Sequence, residues 1–142
     1  MTKKKMIKEN LSEQFKNKII IITGSTQGSG AETAKLLASR GAKGITICGR
    51  NEKNGKKVKS EIESLGTECI YVKADLENLK DCKKIISQTD KKFGTVNTLI
   101  NSAAYTGRGT ILSTSQKEYE KMFNVNTSCL LYTSDAADDR VS

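Results

Sequence analysis

The feature that most constrains this chain is a junction: Lys18-Ile19-Ile20-Ile21-Ile22 runs straight into Thr23-Gly24-Ser25-Thr26-Gln27-Gly28-Ser29-Gly30. Successive β-branched residues are stiff at χ1 and pack well on a pleated surface, so the run predicts a strand. It shows no polar alternation. That is the pattern of a strand buried on both faces, as in a parallel sheet. Parallel neighbours need crossover connections, and the remaining sequence supplies them.

Residues 31–40 place Ala34, Leu37 and Ala38 on one helical face, with Gly41 as a stop signal. Residues 44–48 form a second strand. Residues 56–65 form a second helix through Val58, Ile62 and Leu65, and residues 69–73 a third strand. Residues 79–93 carry Leu79, Cys82, Ile85, Ile86 and Phe93 on one stripe that ends at Gly94; residues 96–101 then give a fourth strand and residues 117–126 another helix. Strands alternating with helices over short connections imply right-handed βαβ units. The expected fold is α/β: a Rossmann-like doubly wound parallel sheet with helices on both faces, truncated after about four strands. The expected organisation is a polar lead-in over residues 1–15, one domain over residues 16–128, and a segment of different character over residues 129–142.

Composition narrows the classes of function. The 142 residues suit one domain rather than two. No apolar run is long enough to span a membrane, and the charged residues at the start lead into no apolar core of a secretory signal, so a cytoplasmic protein is expected. Cys48, Cys69, Cys82 and Cys129 are scattered and histidine is absent, so neither a metal site nor a disulfide framework is indicated. The net charge of +8 raises the possibility of nucleic-acid binding, but the lysines are spread along the chain and aromatic residues are few. Lysine, asparagine and isoleucine in excess, with no proline, fit the codon bias of an A+T-rich genome.

The glycine loop lies where an open α/β sheet binds ligands, at the carboxyl end of a strand. Gly24 permits the tight turn, Gly28 lets backbone N–H groups approach a pyrophosphate, and Gly30 allows close helix packing. The pyrophosphate would lie at the positive end of the following helix. The spacing differs from GxGxxG, and no Gly-Lys-Ser/Thr of a P-loop is present.

TGSTQGSG resembles the TGxxxGxG fingerprint of the classical short-chain dehydrogenases/reductases, and three more blocks match that family in order, so the resemblance covers residues 16 to about 128. Thr23, Gly24, Ser25, Gln27, Gly28, Ser29 and Gly30 fall in the fingerprint. The resemblance implies that Asp75 and Leu76 face the adenine ring. Asn101-Ser102-Ala103-Ala104 is similar to the family's NNAG block beside the cofactor, and Asn126 falls on the helix Asn that holds a water in the family's proton relay. Ser29, Ser102 and Ala104 depart from the usual residues. Taken alone, Asp75 also reads as a helix cap and Asn126 as a solvated helix residue.

At the end of the second strand, an acidic residue would hold the ribose hydroxyls of NAD and repel the 2′-phosphate of NADP. Here Gly49 stands in that place and Arg50 follows, offering a guanidinium fork to phosphate oxygens, with Gln27 and Asn51 as helpers. NADP(H) is therefore expected over NAD(H). The resemblance implies a small-molecule carbonyl or alcohol substrate and a homo-oligomer for the full-length protein, with no nucleic-acid or membrane partner. Its chemistry also needs a Ser and a YxxxK pair, and neither a Tyr with Lys four residues on nor the rest of the relay occurs here, so a cofactor-binding fragment without turnover is expected. A non-catalytic NADP-binding module and a basic nucleic-acid-binding protein are the alternatives. Extended-type epimerases usually carry TGxxGxxG instead.

From Cys129 onward the chain contains no lysine and turns acidic and alanine-rich. Cys129-Leu130-Leu131-Tyr132-Thr133-Ser134-Asp135-Ala136-Ala137-Asp138-Asp139 is similar to a translated transposase adapter from DNA library preparation. The expectation is that residues 129–142 are read-through and not native.

Overall fold

Four strands, β1 (Ile19–Thr23), β2 (Gly44–Gly49), β3 (Glu68–Lys73) and β4 (Thr98–Asn101), make one parallel sheet in the order β3-β2-β1-β4. The computed structural model describes residues 11–130 and 133. β1 has a neighbour on each side, Ile21 pairing with Thr46 and with Leu99, and all five of its residues are buried. This explains the isoleucine run: both faces of an inner parallel strand must be apolar.

The helices are α1 (Gly28–Ser39), α2 (Glu52–Ser64), α3 (Leu79–Phe93) and α4 (Gln116–Phe123), the last continued by a π-helical turn, Asn124–Ser128. Alternation along β1 sends its side chains to opposite faces. Ile20 and Ile22 pack with Ala34, Leu37, Val58 and Ile62 of α1 and α2, whereas Ile21 packs with Cys48, Val72, Ile85 and Ile86 on the α3 side. The sheet is therefore doubly wound. Each isoleucine so buried stabilises the fold by roughly 1.5–3 kcal/mol.

The elements fall in the expected order, with shifted ends. α1 begins at Gly28 inside the glycine loop rather than at residue 31. α2 begins four residues before expectation because the Asn51 side chain accepts the Asn54 N–H at 3.0 Å and caps it. β4 begins at Thr98, not residue 96, since the Asn97 side chain takes the Ile19 N–H at 2.7 Å in place of a ladder bond. α4 starts at Gln116, capped by Ser115, and loses α geometry at Asn124. α3 is capped by Asn78, whose side chain accepts the Lys80 N–H at 2.9 Å; this is the capping role that Asp75 could have filled. All four cysteines are buried and free. Among the described residues, no helix is long and apolar enough to cross a membrane. The lead-in through residue 10 and most of the tail beyond Leu130 lie outside the described residues.

Candidate functional site

β1 pairs with β2 on one side and β4 on the other, so the chain winds away from it in both directions and a crevice opens at the strands' carboxyl ends. A pocket of about 300 Å³ occupies it. Gly24, Thr26, Gln27, Gly28 and Ser29 form its floor, Gly49 and Arg50 one side, Asp75 and Leu76 the next, and Ser102, Ala103, Tyr105, Lys121 and Val125 the far wall.

The floor is shaped by backbone. Gly24 (φ +62°) and Gly28 (φ +58°) adopt left-handed conformations that side chains rarely take, and a Cβ on Gly28 would meet nothing within 4 Å. Gly30 is buried with no room for a Cβ, which would strike the Gly24 carbonyl. The loop thus folds down onto the start of α1. Gln27 gives α1 no side-chain cap and its first turn holds no acidic residue, so the positive end of the helix faces the pocket uncompensated. These features fit a dinucleotide pyrophosphate: open space over Gly28, uncapped amides and a helix N-terminus together form an anion cradle.

The predicted residues divide into two groups. Gly24, Gln27, Gly28, Ser29, Arg50, Asp75, Leu76, Ser102 and Ala103 line the pocket. Thr23, Ser25, Gly30, Asn51, Asn101 and Asn126 are not among its lining residues and hold the frame instead. Thr23 Oγ1 accepts the N–H groups of Ser102 and Ala103 at 3.2 and 3.3 Å, tying the ends of β1 and β4. Fully buried Ser25 donates to the Ile22 carbonyl at 2.5 Å and accepts the Cys48 N–H at 3.0 Å. Asn101 pairs with Thr23 in the ladder. Asn126 spends its side-chain amide on the Tyr105 main chain, accepting its N–H at 2.9 Å and donating to its carbonyl at 2.8 Å.

Asp75 accepts the Glu77 N–H at 3.1 Å, and its own N–H donates to Asp81 at 2.8 Å, so its position is fixed by the turn. Arg50 is exposed at the rim. Across the pocket, Lys121 Nζ lies 4.3 Å above the Tyr105 ring and 3.8 Å from Glu77, and Tyr105 donates its hydroxyl to Glu118 at 2.8 Å. That bond raises the Tyr105 pKa above its ordinary value. Burial pushes the Cys48 thiol up to about 12, so it is protonated and not nucleophilic. Among the described residues no acidic or thiol cluster could hold a metal.

Thr26, Glu77, Tyr105, Lys121 and Val125 were not anticipated. Thr26 sits at a variable position of the fingerprint. Lys121 and Val125 are four apart and thus share a helical face, a signal that points at a site only once the crevice is known.

The profile of the short chain dehydrogenase family matches residues 18–140. The chain belongs to the short-chain dehydrogenase family. It is 33% identical over 124 residues to a 7alpha-hydroxysteroid dehydrogenase of Bacteroides fragilis, covering 85% of this chain and 48% of that protein. It is also similar to a short-chain dehydrogenase of Burkholderia cenocepacia solved with NADP, at TM-score 0.84 and 26% identity, covering 88% of this chain and 51% of that one. An NADH-dependent reductase solved with NAD follows at TM-score 0.81 and 25% identity, covering 89% of this chain and 52% of that one. The chain spans about half the length of these relatives. Its fold is that of the cofactor-binding part of this family, whose solved relatives include one with NADP and one with NAD.

Proposed function

We propose that the pocket binds NADP(H) in preference to NAD(H), as the cofactor-binding part of an oxidoreductase acting on a carbonyl or alcohol substrate. The observation that carries this reading is the pair Gly49-Arg50 at the end of β2, on the rim of the pocket and next to the glycine loop. An acidic side chain is missing where a ribose diol would be held, and a guanidinium able to fork onto a phosphate stands beside it. The glycine loop and the start of α1 hold the pyrophosphate, Asp75 and Leu76 face the adenine, and Ser102 and Ala103 support the nicotinamide half. The cofactor, when bound, supplies or accepts the hydride. Asn126 is the candidate for the helix Asn that holds a water in the family's proton relay, and its side-chain amide is held by the Tyr105 main chain. Without a Ser and a YxxxK pair, the 142-residue chain binds cofactor but does not turn over carbonyl substrates.

Titration decides the cofactor. NADPH is expected to bind more tightly than NADH, and Arg50→Asp to invert the order through loss of a charge-assisted contact of about 1.5–3 kcal/mol, tenfold or more in Kd. Equal binding, or tighter NADH, would overturn the reading.

We also propose that the native domain covers residues 16–128 and that residues 129–142 are foreign to it. Two observations bear on this boundary. The family match runs on to residue 140, and Cys129 is buried with its Sγ 3.5 Å from that of Cys82. Amplifying the gene from source DNA across the codon for Ser128, without a transposase adapter, separates the two readings: the frame should continue into a Ser and a YxxxK motif, and recovery of the same tail would refute the boundary.

A further inference from the structure

Gly49 closes β2 directly against the glycine loop. A Cβ built on it would lie 2.6 Å from Thr26 Oγ1, 2.7 Å from Cγ2 and 3.2 Å from Cβ. Non-bonded carbons attract at about 3.5–4.0 Å, so all three contacts are repulsive. Rotating Thr26 gives no relief. Its Cβ carries two heavy atoms and one hydrogen, and two of the three staggered positions face Gly49, so every rotamer leaves at least one heavy atom there.

Neither backbone can withdraw. The Gly49 carbonyl accepts the Tyr71 hydroxyl at 2.8 Å and the Ala74 N–H at 3.2 Å, and Gly49 is in register with Lys73 of β3. On the loop side, the Ser25 N–H donates to the Cys48 carbonyl at 3.1 Å, while the Ser25 hydroxyl accepts the Cys48 N–H at 3.0 Å. Thr26 itself is 7% exposed, and although it borders the pocket, turning its side chain toward that space still leaves one heavy atom against position 49.

We propose that Thr26 is a specificity-determining residue: its β-branched side chain fills the space beside position 49 and so excludes the acidic side chain that would hold the ribose of an unphosphorylated dinucleotide. The inference rests on the NADP(H) reading of the pocket and adds that preference is a property of two strand-end loops together. Arg50 attracts the phosphate, and Thr26 keeps its competitor out. Placing an acidic side chain at position 49 therefore requires two changes, Thr26 becoming smaller before Gly49 can become acidic.

The test uses the full 142-residue chain in four forms: unchanged, Gly49→Asp, Thr26→Gly, and both together, each titrated with NADH and NADPH. Gly49→Asp alone should weaken both cofactors by about tenfold or more, whereas the double variant should bind NADH at least tenfold more tightly than the single one and prefer it to NADPH. Equal NADH affinity in the single and double variants would overturn the proposal. If Gly49→Asp does not fold, Gly49→Ala carries the same question through stability. It should lower Tm by about 5 °C or more with Thr26 present and by much less alongside Thr26→Gly, because a methyl group alone meets the threonine. Identical losses in both backgrounds would likewise overturn it. Should the unchanged chain show no NADPH preference, the cofactor reading fails, and the Gly49→Ala comparison still decides whether Thr26 blocks position 49.

Discussion

On the β1–β2 side the pocket is walled by buried main chain, with Thr23 and Ser25 hydrogen-bonded inward and Gly49 held by two donors on its carbonyl. From β4 to the π turn it is walled by side chains on an open surface: α4 contains no buried residue, and Asn126, Lys121 and Glu118 fasten Tyr105 from outside. A wall of the first kind has a fixed shape because moving it breaks buried bonds with no water to replace them. The second kind is held by contacts that water competes for, each worth little. On the NADP(H) reading proposed above, discrimination between cofactors falls to the rigid side.

The contrast is sharpest in the core. Ile22→Ala should cost about 2–5 kcal/mol in urea unfolding, while Phe123→Ala, at a side chain 50% exposed, should cost under about 0.5 kcal/mol. Similar losses would mean that α4 is bound into the same core. Thr23→Val comes next. It removes the acceptor of two part-buried N–H groups and should cost about 1–3 kcal/mol, against about 1 kcal/mol for Asn126→Ala, whose partners can turn to solvent. Hydrogen exchange then reads the two walls directly: amides of β1 and β2 should exchange only with global unfolding, and those from Tyr105 to Ser128 through local openings. Matching protection would break the distinction. Smallest of all, Lys121→Met should change stability by no more than about 1 kcal/mol and remove whatever salt dependence the Glu77 pair contributes.

The same division decided what could be read from the residues. The isoleucine run, the helical stripe of α3 and the glycine spacing are periodic signals produced by burial, and each led to the element observed. The starts of α2 and β4 were missed because single side chains, Asn51 and Asn97, set them through one hydrogen bond apiece. At the site, residues that the fingerprint holds for backbone shape were legible. Whether a polar residue faces the pocket or braces it was not: Ser25 and Gln27 are two positions apart in one motif, yet one is fully buried and the other lines the cavity. Lys121 of α4 and Tyr105, in the segment after β4, meet through the loop between those elements, a relation with no periodicity in the sequence.

The central place of β1 also sets an order of assembly. Its partner β2 arrives after one helix, but β4 must be brought from far along the chain, as the bond between residues 19 and 97, 78 positions apart, records. At synthesis rates of about 5–20 residues per second, one edge of the isoleucine strand stays unpaired on the ribosome for roughly 4–16 s. During that interval its backbone is a template for any other extended chain nearby. The residues that make β1 the anchor of the finished sheet thus make it the nascent chain's most exposed liability, and yield in the cell should depend on how quickly β4 follows it out of the exit tunnel.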